Sequence, residues 1–428
     1  MSANNPSTIR YILIMSKLKR QAWLIAVSLF VMNILVFGST FDTMGVFVTP
    51  LIRHYHLSHA KVASLTTAAT VTLALFSPIS GWLLESVEAR VVIVAGAVLA
   101  MLAFIIASHA ANFAGLMYAY LILGAGLGLG TLTPVAVVIT RWFKEQRGAP
   151  MGLAIAGTTV GGMVLIPVAN YVAATYGLRA AYFAMVAATA LAIPIILATL
   201  KGNPPPVAPQ LSLSATPHLD SLPGYEVAAA AATRSFWMIN LAQLFYGFQV
   251  EGTAIHMIPH VIGIGYSANT GAVVLSVIMG LGATAKFGMG VLSDRIGAKA
   301  ALVFAFVSSA IGEVFLLSGE QPVFLVLALI GIAIGFGSQS ALFPILLAQC
   351  LGLKRFAVLQ GLTGFVLYAG VGIGPMVMGW LYDMSGKYTA SFEFCAAAAI
   401  LAALATLACK PIEAASAEVT ALKVAISG

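Results

Sequence analysis

A chain of 428 residues with only 8% charged and 60% hydrophobic side chains is not an ordinary soluble globule, which carries about 25% charged residues. Its apolar runs are continuous and do not alternate, which excludes a membrane β-barrel. The formal net charge of +7 follows from a bias in the loops and indicates no nucleic-acid partner.

A bilayer crossing needs roughly 20 apolar residues. Cutting the chain at its charge clusters and turn signals leaves twelve predicted spans: 22–48, 62–84, 91–108, 113–140, 149–173, 180–199, 236–260, 270–292, 298–318, 322–349, 356–381 and 390–409. The expectation is an all-α membrane protein of twelve transmembrane helices in two pseudo-symmetric six-helix bundles. Residues 1–21 read as a cytoplasmic tail with no cleavage site, 22–199 as the first bundle, 200–235 as a cytoplasmic linker rich in Pro and Ser (NPPPVAP), 236–409 as the second bundle and 410–428 as a second cytoplasmic tail. With the N-terminus inside, 16 of the 21 Lys and Arg fall in inner segments and 4 in outer ones, so both termini are expected in the cytoplasm of a cell membrane, the inner membrane in a bacterium. The residue left over is Lys286.

Polar groups inside the spans are the candidates for function. Span one carries Asp42 and span four carries Thr131 and Thr133 beside GAGLGLG (124–130), a small-residue packing face rather than a nucleotide loop. Span seven carries Tyr246, Glu251, His256 and His260, the two histidines four apart on one helix face. In span eight, Lys286 lies eight residues inside Asp294, about 12 Å deep at 1.5 Å per residue, where an unpaired charge costs at least about 2.5–3.5 kcal/mol. A lysine there is expected to face a water-filled cavity or a carboxylate, with Asp42 and Glu251 as the partners in view. The same two carboxyls, with His256, are the candidates for carrying a proton. Glu313 in span nine is assigned to snorkelling or helix packing; Gln339, Ser340 and Tyr368 in spans ten and eleven line the site or join helices. GVGIGP (370–375) is another packing face. The three cysteines, Cys350, Cys395 and Cys409, have no metal spacing, and neither a disulfide, a metal nor a cofactor is expected.

The two halves repeat at one offset. Gly81, Glu85 and Arg90 are matched 209 residues later by Gly290, Asp294 and Lys299, and GLRAAYF (177–183) by GKYTASF (386–392). GVLSDRIGAK (290–299) resembles the loop between helices two and three, and eight and nine, of the major facilitator superfamily, whose halves are parallel repeats. The resemblance implies a conformational latch of Gly290, Asp294, Arg295, Gly297 and Lys299, with Asp294 at a neighbouring helix N-terminus and paired to a base. Gly81, Glu85 and Arg90, with Arg147 at the start of span five, would be its first-half counterpart, degraded where GWLLESVEAR has Glu85 and Ser86. RWFKEQRGAPMGLAIAGTTVGG (141–162), HMIPHVIGIGYSANTGAVVLSVIMGLGATAKFGMGVLSDRIG (256–297) and GPMVMGWLYDMSGKYTASF (374–392) resemble the monocarboxylate porters. That resemblance implies that Lys286, where organic-anion members typically hold arginine, binds the substrate carboxylate, as a point donor rather than a bidentate one. Tyr246, Thr131, Gln339 and Tyr368 would complete the site. Gly148, Gly157, Gly161 and Gly162 resemble an antiporter pattern lacking its Gly-Pro pair.

The expected function is secondary transport, not catalysis: proton-coupled uptake of a small organic anion, by a monomer in the lipid bilayer. The alternatives are a facilitator of a neutral or larger metabolite such as a vitamin, an exporter of amphipathic compounds, and a membrane receptor.

Overall fold

The computed structural model describes residues 6–144, 146–200 and 222–412. The expected tails and linker are therefore described only in part; residues 1–5, 201–221 and 413–428 lie outside the described residues.

Twelve helical segments of membrane length follow one another in the described residues. Span one runs Pro6–Thr40, turns through a 3-10 segment at Asp42–Phe47 and continues as Val48–Tyr55. Spans two and three are His59–Ser86 and Ala89–His109; span four is Phe113–Gly130 followed by Leu132–Trp142; spans five and six are Gly148–Tyr176 and Leu178–Thr199. A short helix, Val227–Ala231, leads into span seven, Arg234–Gly263; spans eight to twelve are Ala268–Ile296, Ala298–Leu316, Pro322–Leu351, Phe356–Ser385 and Thr389–Leu407. Among the described residues, the only bridge between extended segments is Gly224 with Gly352.

Local sequence sets the helix ends. Ser58, Asn112, Thr233 and Ser267 accept hydrogen bonds from the first free backbone N–H groups of spans two, four, seven and eight. Gly177 and Gly386, 209 residues apart, end spans five and eleven with φ of 88° and 68°. Eleven segments are apolar enough to cross a membrane by composition alone. Span seven falls outside that set because Asn240, Gln243, Gln249, Glu251, His256 and His260 lie along it. Its burial against the second half explains how it tolerates them, since Asn240, Gln243, Gln249 and His260 are all buried. Three boundaries differ most from the sequence expectation: the helix of span one begins at Pro6, inside the stretch read as a tail, span one extends past 48 to Tyr55 around the Asp42 turn, and span four breaks at Thr131.

The repeat in the sequence is a repeat in space. Gly38 of span one lies against Gly161 of span five, and 209 residues later Gly247 of span seven lies against Gly370 of span eleven. Between the halves, a Cβ at Gly290 would collide with the backbone of Gly148, and one at Gly81 with the backbone of Ala357, again at the same offset. Small residues allow these helices to touch backbone to backbone, the usual packing solution in lipid, where burial of apolar side chains gives no advantage. Leu24, Leu75, Leu191, Phe304, Val314 and Leu404 face outward to lipid.

These close approaches shut the molecule at the end that carries the linker. There the core is continuous across the halves, with Ile25, Ile139 and Trp142 in one cluster with Phe343, Leu346 and Leu359. Asp294, at the end of span eight, accepts from the backbone N–H groups of Gly148 (2.7 Å) and Ala149 (2.9 Å), the first residues of span five. A carboxylate at a helix N-terminus satisfies orphan donors and complements the helix dipole. In the equivalent place of the first half, Glu85 pairs with Arg355 at 3.0 Å, at the N-terminal cap of span eleven.

Candidate functional site

Lys286 is 8% exposed, with its ammonium pointing back toward the start of span eight. It donates to Thr158 Oγ1 at 2.8 Å and Thr159 Oγ1 at 2.5 Å, both on span five of the other half. Its own carbonyl lies against Gly152 two turns nearer the linker end. Neither threonine carries charge, and no carboxylate comes within the 4.0 Å of an ion pair among the described residues. The charge is thus oriented without being neutralised.

Asp42 is the nearest acidic influence. Its carboxylate sits one turn further along span five, where Oδ2 is 3.0 Å from the position a Cβ would take on Gly162. Oδ2 is buried without a hydrogen-bond partner, and the group interacts electrostatically with Lys286 and with Glu251. Asp42 and Glu251 are themselves 209 residues apart, one from each half. Lys286 has no such counterpart, since the position 209 residues before it is Ser77. The structure therefore brings the sequence candidates Lys286, Asp42 and Glu251 into one cluster with two acids and one base. Glu251 is half-buried, and among the described residues it has neither a cation nor a hydrogen-bond partner.

A cavity of about 30 Å³ lies between the halves, with Ile155 of span five, one turn before Thr158 and Thr159, in its wall. Thr131 and Tyr368 line it, as do Ser77, Thr133, Gln243, Ser340 and Gln360. Thr131 sits at the break in span four, where its hydroxyl donates to Leu127 O at 2.7 Å. Tyr246 is beside the cavity, donating to Phe336 O at 3.3 Å and stacking near Phe343. Gln339 is fully buried, does not line the cavity, and leaves both amide atoms without partners.

Other candidates are elsewhere. His256 is five residues beyond Glu251, with Nε2 3.0 Å from Pro375 O and Nδ1 3.4 Å from Tyr388 Oη, so it joins spans seven and eleven toward the far end and is not within the acid–base cluster. Glu313 does not snorkel: it is completely buried, accepting from Thr253 at 2.7 Å and Gln249 at 3.3 Å, which leaves the packing role. The expected latch is only partly assembled. Asp294 caps span five by backbone bonds, while Arg147 turns back to donate to Phe143 O at 2.7 Å instead of pairing with it. Burial pushes the Arg147 guanidinium down from its ordinary pKa. Lys299 donates to Cys409 O and Arg90 pairs with Glu88, so each is satisfied inside its own half. Arg295 is exposed at the end of span eight, and Gly297 ends that helix with φ of 86°. The three cysteines are buried free thiols.

The model of the Major Facilitator Superfamily matches residues 29–290 and 264–424. The chain belongs to the major facilitator superfamily. Among curated proteins it is 25% identical over 376 residues to monocarboxylate transporter 13 of Rattus norvegicus, covering 86% of this chain and 84% of that one. It is 25% identical over 389 residues to monocarboxylate transporter 11 of Homo sapiens, covering 86% and 79%. The crystal structure of the human organic anion transporter MFSD10 (TETRAN) superposes with a TM-score of 0.71 at 14% identity, covering 90% of this chain and 99% of that one. The E. coli fucose:proton symporter FucP gives 0.70 at 16% identity, with 90% and 98% covered. These relatives and neighbours are transporters rather than enzymes; the curated relatives bear out the monocarboxylate-porter resemblance read from the sequence, and the solved structures bear out the fold.

Within this facilitator, sequence reasoning missed the residues that hold Lys286. Thr158 and Thr159 stand in AGTTVGG, a stretch read for its glycines. The available signal was depth: both lie 10–11 residues into span five from Gly148, and Lys286 lies eight residues inside Asp294, so the two positions meet near the midplane of antiparallel neighbours.

Proposed function

We propose that this transporter moves a small organic anion together with a proton, by alternating access, with Lys286 as the anion-binding group. The observation that carries the reading is the ammonium fixed by two neutral hydroxyls at the seam of the halves. Hydroxyl oxygens orient an ammonium while leaving its charge uncancelled, and in a low-dielectric site that residual charge attracts an anion far more strongly than in water. The names of the curated relatives, monocarboxylate transporters, support the same class.

In this reading Glu251 carries the proton. An anion that neutralises Lys286 leaves two carboxylates beside it, and Glu251 has no cation of its own; a proton taken up by Glu251 offsets the charge of the incoming anion, so the loaded site keeps the net charge of the empty one. We take the contact surface at the linker end, with Asp294 on span five and Glu85 on Arg355, as the closed inner gate of one end state, and both termini as cytoplasmic on the strength of the Lys and Arg bias. Import is then the outward-facing state loading anion and proton, closing above them and parting at the linker end.

Proteoliposomes preloaded with unlabelled pyruvate provide the measurement. Labelled lactate should accumulate by counterflow, and addition of the acid to unloaded vesicles in weak buffer should make the medium alkaline. Absence of counterflow with any monocarboxylate rejects the anion class; counterflow without alkalinisation removes the proton and the role given to Glu251.

A further inference from the structure

We propose that the cavity between the halves is an uncharged hydrogen-bonding subsite that receives a distal carbonyl or amide of the transported anion, so the preferred cargo is a bifunctional acid rather than a plain alkyl monocarboxylate. The inference rests on the reading of Lys286 as the anion-binding group and extends it to the rest of the ligand.

Three buried polar groups at this cavity lack partners. Gln360 is 7% exposed and its Oε1 is buried with no hydrogen bond. Gln243, 3% exposed, and Tyr368, 7% exposed, line the same space, and neither side chain makes a hydrogen bond among the described residues. Buried amides and hydroxyls are normally bonded, and leaving one unmade is costly, so a cavity with three of them is built for something that brings its own donors and acceptors. Its remaining polar lining, Thr131, Ser77 with Thr133 at 3.1 Å, and Ser340, is neutral as well, and no Asp, Glu, His, Lys or Arg lines it among the described residues. A second carboxylate would find no counter-charge there, whereas a carbonyl or amide finds an amide N–H₂ and a phenol.

Distance sets where that group sits on the ligand. Ile155 of span five lines the cavity, and Thr158 and Thr159, three and four residues on, hold the ammonium. These positions share one helix face and are separated by about one turn, roughly 5.4 Å. A group on the carbon next to the carboxylate would not reach; one several bonds away would. The cavity volume of about 30 Å³ accepts a small polar end or about two waters, and waters occupying it between cycles would be displaced by such a group. Lining residues come from both halves, so parting of the linker end would split the subsite and release its occupant.

The experiment uses competition against labelled substrate in counterflow, with two matched pairs: levulinate against valerate, and succinamate against butyrate. Wild type should prefer the carbonyl or amide acid by about tenfold or more, as sites built to bond a polar group discriminate against analogues lacking it. Gln243→Leu with Gln360→Leu should bring each pair to near equality, the loss for levulinate and succinamate being several-fold larger than any change for valerate and butyrate. Equal handling of each pair by wild type overturns the subsite and leaves the anion reading standing. Equal losses for all four acids in the double variant, with an unchanged melting temperature, assign the cavity to structural water and also overturn it. Wild type that carries none of the four, or Lys286→Gln that carries all of them normally, refutes the anion reading first and the subsite with it.

Discussion

The two halves of the molecule have the same skeleton and different chemistry. Gly81 on Ala357 repeats as Gly290 on Gly148, Gly38 on Gly161 repeats as Gly247 on Gly370, and Asp42 repeats as Glu251, all at one offset. The close approaches repeat at both seams between the halves, Gly81 on Ala357 and Gly290 on Gly148. The symmetry fails where charge matters. Lys286 corresponds to Ser77 in the repeat, and Asp42 interacts with an ammonium where none acts on Glu251. At the linker end the second half caps a helix with Asp294 through backbone bonds, whereas the first half uses an Arg355–Glu85 ion pair that is partly exposed. The backbone contacts are duplicated, whereas the partners of the charged groups differ between the halves.

The largest effect should come from the duplicated shape. Valine at Gly290 or at Gly81 would push helix backbones apart at the linker end, and overpacking of about 1–3 kcal/mol corresponds to roughly a 5- to 150-fold slower cycle. Initial uptake rates should fall in both Gly290→Val and Gly81→Val; a normal rate in one of them would show that the seams are not mechanically equivalent.

The paired acids should separate. Glu251→Gln is expected to abolish accumulation driven by a pH gradient while leaving substrate exchange within about threefold of wild type. Asp42→Asn removes a negative charge that competes with the cargo for Lys286, so anion binding should tighten several-fold. Identical behaviour of the two variants in exchange and gradient-driven assays would mean that the neighbouring ammonium makes no distinction between them.

Smaller differences are expected at the linker end. Asp294→Ala strips two backbone N–H groups of their acceptor, a loss of about 0.5–2 kcal/mol, and Glu85→Gln breaks a part-exposed pair worth about 0–1 kcal/mol. Thermal unfolding should rank the variants in that order, and the reverse order would contradict the reading of the backbone cap as the stronger contact.

The least effect concerns pH. Hydrogen bonds from Arg355 and Lys354 hold the exposed Glu226 carboxyl below its ordinary value of 4.5. A depressed acid contributes stability above its unfolded pKa and loses it as pH falls through the folded one, so the contribution is present at pH 7 and disappears below about 4.5. Between pH 6 and 4, roughly spanning the ordinary carboxyl range, the melting temperature of wild type should drop slightly more than that of Glu226→Gln; parallel curves would show that the contact adds nothing.

Much of this was legible in the sequence. Continuous apolar runs placed the twelve spans, because a bilayer leaves no other way to satisfy the backbone. The 209-residue offset exposed the repeat, and depth counted from Asp294 marked Lys286 as buried. What was hidden depends on rotation about helix axes, which periodicity cannot fix in a span apolar on all sides. Thr158 and Thr159 face Lys286, but their position in a glycine run looks like packing. Gln339 and Gln243 are alike as sequence, yet only Gln243 lines the cavity. The latch residues Arg147, Lys299 and Arg90 were hidden for another reason: each finds a partner inside its own half, a backbone carbonyl for Arg147 and Lys299 and the Glu88 carboxylate for Arg90.

The central claim is that the Lys286 ammonium is available to a ligand, and direct binding tests it. Thermal shift of the purified protein against a panel of monocarboxylates should show stabilisation of wild type and Lys286→Arg that rises with ligand concentration, and none for Lys286→Gln. Stabilisation of Lys286→Gln by the same acids at the same concentrations would contradict the account.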